Sequence, residues 1–223
     1  MNKVDIIIPT TMDNSYVNWC INSIQAFDIS YPYEITVVDN LAEPKFERAG
    51  IKSIRFEERM WFAKAINRGI EATSNEYVLL LNNDTGIAMP NLLGHMIEVL
   101  NSEDKIGIVS PMCNFASPAP IIQCPNKESL PNKIIKHNGH IAFVCVLLKR
   151  STINEIGLLD EQFKNAFCDS DYCTRVLNAG YKIYIDGFQW IFHYGSRTVS
   201  RIPGYYEEFG KNHDRMHKKW NIK

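Results

Sequence analysis

With 223 residues, 45% hydrophobic and 22% charged, the chain has the make-up of a globular domain that buries its own core. A net charge of −1 projects no global field toward nucleic acid or anionic lipid, so nucleic acid is excluded as a partner and small or neutral ligands are expected. The six cysteines form no C-x-x-C pair, which argues against a zinc knuckle and for a reducing, cytoplasmic setting.

No apolar run reaches the ~18 residues of a membrane span, and no signal segment is visible. Val4 to Ile8 reads as a strand that Pro9 stops. Ser15 opens a helical spacing that runs to Phe27. Strands follow at Glu34–Asn40 and Ile51–Phe56, then a helix at Phe62–Thr73. Tyr77–Leu81 is a fully apolar strand, Asn91–Ser102 a helix and Ile106–Pro111 another strand. This alternation predicts an α/β fold with a mostly parallel, Rossmann-like central sheet, right-handed crossovers and helices on both faces. Strands with continuous apolar runs fit a sheet covered on both sides.

From Met112 to Asn138 the pattern breaks, with Pro118, Pro120, Pro125 and Pro131, and a long irregular loop is expected. His140–Arg150 reads as one long strand. A helix is expected from about Asp169, stopped by Gly180, followed by a strand and a last strand at Phe188–Gly195. The tail from Tyr205 to Trp220 reads as a helix with a basic end.

In such sheets ligands bind at the carboxyl ends of the strands. Three predicted strand ends are polar: Pro9-Thr10-Thr11, Asp39-Asn40 and Asn82-Asn83-Asp84. Each alone suits a turn or a helix cap. Their convergence on one rim points to a binding site. No G-x-G-x-x-G or P-loop is present, so a dinucleotide fingerprint is missing.

Several segments in order carry a resemblance: "DIIIPT", "ITVVDN", "FAKAINRGI", "YVLLLNNDT", "IGLLDEQF", "CDSDYCTRVLNAGYKIY" and "FHYGS". Together they resemble glycosyltransferase family 2, whose nucleotide-sugar fold is called GT-A. The closing "NHDRMHKKW" resembles the end of the rhamnosyltransferase-like branch. The resemblance implies a donor-binding half at 1–110, an acceptor-binding and catalytic half at 111–204, and a helical tail at 205–223.

It further implies a nucleotide-diphosphate sugar on the rim, contacted by Pro9, Thr10, Asn40 and Asn83. Asp39 would hold the base or ribose, since a carboxylate accepts from a uracil N–H or a ribose hydroxyl. Asn67 would lie near the nucleotide. Asp84 stands for the last acid of the family's D-x-D motif and would bind Mn²⁺ or Mg²⁺ bridging the diphosphate, with hard oxygen ligands. Asn82 replaces the motif's first acid. His193 would complete the metal site.

Asp169 matches the family's general base, which accepts the acceptor's proton as its oxygen attacks the anomeric carbon. An N-cap is its competing role. Asp171 is the reserve base, because Cys168 replaces an acid that the family usually has. Its plainer account is an i,i+4 ion pair with Arg175. Gly139 and His140 would flank the acceptor, a saccharide or lipid-linked saccharide. Trp61 and Trp190 are candidates for stacking on sugars or for core. The basic tail is read as a solvated helix end, with the diphosphate or an anionic membrane as its other possible contacts. The expected activity is inverting, metal-dependent glycosyl transfer in surface glycan or polysaccharide synthesis. The rivals are a sugar nucleotidyltransferase and a non-catalytic glycan- or nucleotide-binding module.

Overall fold

The computed structural model describes residues 3–12, 14–27, 31–116, 123–125, 130–195 and 204–222. Fifteen elements follow in order: β1 (Val4–Met12), α1 (Ser15–Ala26), β2 (Tyr33–Ala42), β3 (Lys52–Arg55), α2 (Phe62–Glu71), β4 (Tyr77–Leu81), β5 (Thr85–Ile87), α3 (Leu92–Asn101), β6 (Ile106–Cys113), β7 (Ile134–His137), β8 (Cys145–Lys149), α4 (Arg150–Ile156), α5 (Cys168–Asn178), β9 (Lys182–His193) and α6 (Tyr205–Trp220). The strands form one sheet in the order β3-β2-β1-β4-β8-β6-β9-β5, with β7 also paired to β9.

The first four strands are parallel, as the alternation predicts. The second half is mixed. β8 lies between β4 and β6 and runs antiparallel to both. Hydrophobic periodicity marks a strand as buried but carries no information on its direction, so this insertion is invisible in the pattern. The strand expected at His140–Arg150 shortens to β8, and Arg150 starts α4. The strands expected either side of Gly187 are one, β9, with a shift in register against β6 between Pro111 and Met112. Pro9 does not stop β1. The ladder to β4 ends at Ile7↔Leu80, so β1 continues beside β2 alone, where a missing N–H is tolerated. Within the stretch expected as one irregular loop, β6 reaches Cys113 and β7 occupies Ile134–His137; Pro118 and Pro120 lie outside the described residues.

Alternating strand residues feed two cores. Ile6, Ile8, Val37 and Leu79 face one layer with α1 and α3 residues such as Ile21 and Leu93. Ile7, Val38, Val78 and Leu80 face the other, with α2 and α5 residues such as Ile66 and Val176. α2 lies so close to β1 that a Cβ on Gly69 would collide with the Ile7 side chain. This rigid sandwich fixes the strand ends that carry the polar residues.

Candidate active site

A cleft of about 610 Å³ opens at the carboxyl ends of β1, β2 and β4. Pro9, Thr10, Asn40, Asn83 and Asp84 line it, as do Asp169 and His193. Residues of 1–110, 111–204 and 205–223 all contribute, the last through Tyr205 and Phe209.

The rim is built from short polar ties. Asn83 Nδ2 donates to Thr10 Oγ1 at 3.1 Å, joining β1 to the turn after β4. Asn40 Nδ2 donates to the Met60 carbonyl at 2.6 Å, and Met60 N–H donates back to Asn40 Oδ1 at 2.7 Å. This two-point clasp fixes the segment before α2 as a wall of the cleft. Trp61 stands in that wall, with Lys164 Nζ 5.5 Å from its ring centroid. Arg59 also lines the cleft and has no hydrogen bond or ion pair among the described residues. A lone arginine in a loop carries no pattern that marks it in the sequence.

Asp84 and His193 meet through β5, a strand too short for the periodicity to show. Thr85 pairs with His193 in the β5–β9 register. His193 Nε2 then lies 3.1 Å from Asp84 Oδ1, and both side chains are buried. The His193 Nδ1 lies 2.6 Å from the Phe115 carbonyl. A carbonyl only accepts, so Nδ1 carries the hydrogen. Asn114 locks the histidine backbone from both sides, accepting from its N–H and donating to its C=O. Burial pulls the imidazole pKa down, but the hydrogen bond and charge of Asp84 together with the Phe115 carbonyl raise it, and the net direction is up. With Nδ1 committed, the Nε2 lone pair and a carboxylate oxygen face one point. Only a proton or a cation satisfies both. One nitrogen and one hard oxygen, with an oriented imidazole behind them, suit a divalent metal that draws its other ligands from phosphate and water. Among the described residues no group of three or more His, Cys, Asp or Glu gathers to hold a metal alone. The residues present therefore fit a cation held jointly with a ligand.

Asp169 sits in the first turn of α5, after Phe167 in the left-handed region at φ 67°. Its Oδ1 accepts from the Ser170 N–H at 2.8 Å. Burial raises its pKa, and the Ser170 N–H and the nearby His140 offset part of that rise. Asp84 and Asp169 are the only carboxylates lining the cleft among the described residues.

Other expected site residues are placed differently. Asp39 lies behind the cleft wall, fully buried, and its oxygens accept from the N–H groups of Ala42 and Phe46 and from Arg55 Nη1. It anchors the turn after β2 and is not among the residues that line the cleft. Asn67 is likewise turned into the fold: its amide clasps Leu159 at both N–H and C=O and donates to Glu161. Asp171, the reserve base, is fully buried away from the cleft. It accepts from Arg175 Nε at 3.0 Å and Trp220 Nε1 at 3.0 Å, and pairs with Lys219 at 2.7 Å. The i,i+4 pair with Arg175 is its structural account. Gly139 and His140 are absent from the lining; His140 is exposed, and Ala142, Phe143 and Val144 take that wall. Trp190 is buried in the core. The basic tail is not simply solvated, because Lys219 is paired with Asp160 and Asp171.

The mixed sheet flanked by helices matches the GT-A glycosyltransferase fold. The chain belongs to glycosyl transferase family 2, whose model matches residues 5–157. It is similar in fold to GalNAc-T7, solved with UDP, GalNAc and Mn²⁺, at a TM-score of 0.70 and 12% identity, over 86% of this chain and 44% of that one. It is 21% identical to the uncharacterized protein y4gI of Sinorhizobium fredii, over 97% of this chain and 27% of that protein. The chain thus spans less than half the length of either relative. No helix among the described residues is long and apolar enough to cross a membrane.

Proposed function

We propose that the chain is a metal-dependent, inverting glycosyltransferase that moves a sugar from a nucleotide-diphosphate donor to a hydroxyl of a saccharide or lipid-linked saccharide, in surface glycan or polysaccharide synthesis. The observation that carries this reading is that the Asp84–His193 pair and Asp169 line one cleft. Thr10, Asn40 and Asn83 line the nucleotide end, and Arg59 offers a guanidinium for phosphate or base. Asp84 and His193 would hold Mn²⁺ or Mg²⁺. When bound, that ion supplies charge compensation to the departing diphosphate. The GalNAc-T7 structure, with UDP and Mn²⁺, supports the donor class.

Asp169 takes the proton of the acceptor hydroxyl as its oxygen bonds to the anomeric carbon and the bond to the diphosphate oxygen breaks. Burial raises the Asp169 pKa, which makes the carboxylate a stronger base. Inversion is the outcome of this direct displacement, in which Asp169 acts as base and Asp84 is paired with His193.

The test is a donor panel with Mn²⁺, read for sugar transfer and for the anomeric configuration of the product. Turnover by the wild type and none by Asp169→Asn, with donor binding retained, supports the proposal. Donor binding with no turnover by the wild type on any acceptor would favour the binding-module reading. Pyrophosphate release from nucleoside triphosphate and sugar phosphate would favour the nucleotidyltransferase.

A further inference from the structure

We propose that the C-terminal helix α6 positions Asp169, and that Asn212 and Trp220 are positioning residues for the transfer reaction; this rests on the function proposed above. Phe209, Asn212, Met216 and Trp220 recur at helical spacing and define one face of α6. That face grips the start of α5 at three points. Asn212 is fully buried, and its Nδ2 donates to the Lys164 carbonyl at 2.5 Å and the Ala166 carbonyl at 3.1 Å. The Phe167 ring packs against Phe209 at 5.2 Å and His213 at 6.1 Å. Trp220 Nε1 and Lys219 Nζ both reach Asp171 Oδ1.

These contacts bracket Asp169 on both sides in sequence. The gripped loop needs holding. Asn165 and Phe167 both sit in the left-handed region, at φ 61° and 67°, which side-chain-bearing residues seldom adopt without outside support. Phe167 is also the N-cap of α5 and supplies no capping side chain. The loop's carbonyls are tied from outside by Asn212. The first turn of α5, and the direction of the Asp169 carboxylate, are therefore set by a helix from the far end of the chain. The brace is remote from the other half of the site: Asn212 and Trp220 do not line the cleft, and none of their hydrogen bonds involves Asp84 or His193.

The consequence is a split in kinetics. A misplaced base costs turnover by roughly 10–100-fold, while donor affinity stays with the other end of the cleft. A loosened loop also lets water reach Asp169. Among the described residues His140, Tyr205, Cys168 and Cys173 are titratable groups that interact electrostatically with it. With more hydration the acid limb of the kcat profile moves to lower pH.

The experiment compares wild type, Asn212→Ala, Trp220→Phe and Met216→Ala for kcat, donor KM, kcat against pH, and Tm. Trp220→Phe removes the N–H and keeps a smaller aromatic ring, so it reports even if Asn212→Ala folds poorly. Met216→Ala weakens the packing of α6 and leaves its polar links. The expected result is a fall in kcat at unchanged donor KM for Asn212→Ala and, more weakly, Trp220→Phe, with the acid limb displaced downward. Met216→Ala lowers Tm and keeps the limb. The proposal is overturned if the two polar variants keep wild-type kcat and limb, or if Met216→Ala shifts the limb as they do. An inactive wild type would instead defeat the proposed function, so the two failures are distinct.

Discussion

Asp84 and His193 come from opposite halves of the chain and meet at 3.1 Å, Oδ1 to Nε2, because the three-residue strand β5 pairs with the end of β9. The pair is buried, and the imidazole is aimed by its Nδ1–H bond to Phe115. Removing either partner is expected to abolish the Mn²⁺-dependent part of nucleoside diphosphate binding. Thermal shifts of Asp84→Ala and His193→Ala, with nucleotide and with or without Mn²⁺, check this. Ligand binding to the native state raises Tm by mass action, so the metal-dependent increment should vanish while a smaller metal-free increment stays.

Asp169→Asn is expected to stop transfer and to stabilise the fold. Burial lifts the folded-state pKa of Asp169 above its unfolded value. Between those two values the folded state holds the extra proton, so stability falls as pH rises through the window and stays low above it. The neutral amide escapes that penalty. Asn should therefore raise Tm at pH 8, with no pH-linked gain below about pH 4, where the carboxyl is protonated in both states. Melting curves at the two pH values decide it.

Asp171→Ala is expected to lower stability and, by freeing Trp220 and Lys219 from the start of α5, to lower kcat without abolishing turnover. It would strip Arg175, Lys219 and the Trp220 N–H of a fully buried partner. Breaking such a network costs about 3 kcal/mol, and urea denaturation would show it. A variant that folds as well as wild type but has lost all turnover would restore Asp171 as a candidate base.

Asp39→Asn tests a second reassignment. Its carboxylate serves Arg55 and two backbone N–H groups. The expected outcome is a loss on the order of 3 kcal/mol, with the nucleotide-dependent shift in Tm preserved. Loss of that shift at full stability would return Asp39 to the nucleotide site.

Much of the fold was legible because its first half follows local rules. Apolar runs, helical spacing and the glycine stop at Gly180 place β1 to β4, α3 and α5 close to where they lie, with β5 missed. Polar strand ends gave the rim, and motif order gave Asp84, Asp169 and His193 as candidates. What failed was non-local. The antiparallel slot of β8 depends on which strands neighbour it. Asn67 and Asp39 have the right residue type in the right segment, yet their side chains turn into the fold to satisfy backbone groups near Leu159 and Phe46. The partner of Asn67 lies 92 residues along the chain, too far for spacing to reveal, and although those of Asp39 are near in sequence, spacing does not say which way the carboxylate turns. The grip of α6 on α5 was hidden likewise: "HDRMHKKW" reads as a charged tail until Lys219 and Trp220 are seen on Asp171.

The most direct measurement is calorimetric titration of a nucleoside diphosphate into the wild type and His193→Ala, each with Mn²⁺ and with chelator. The account predicts tight binding only for wild type with Mn²⁺, and equally weak binding in the other three cases. Binding by wild type that is indifferent to Mn²⁺, or a His193→Ala variant that keeps the full metal effect, would contradict it.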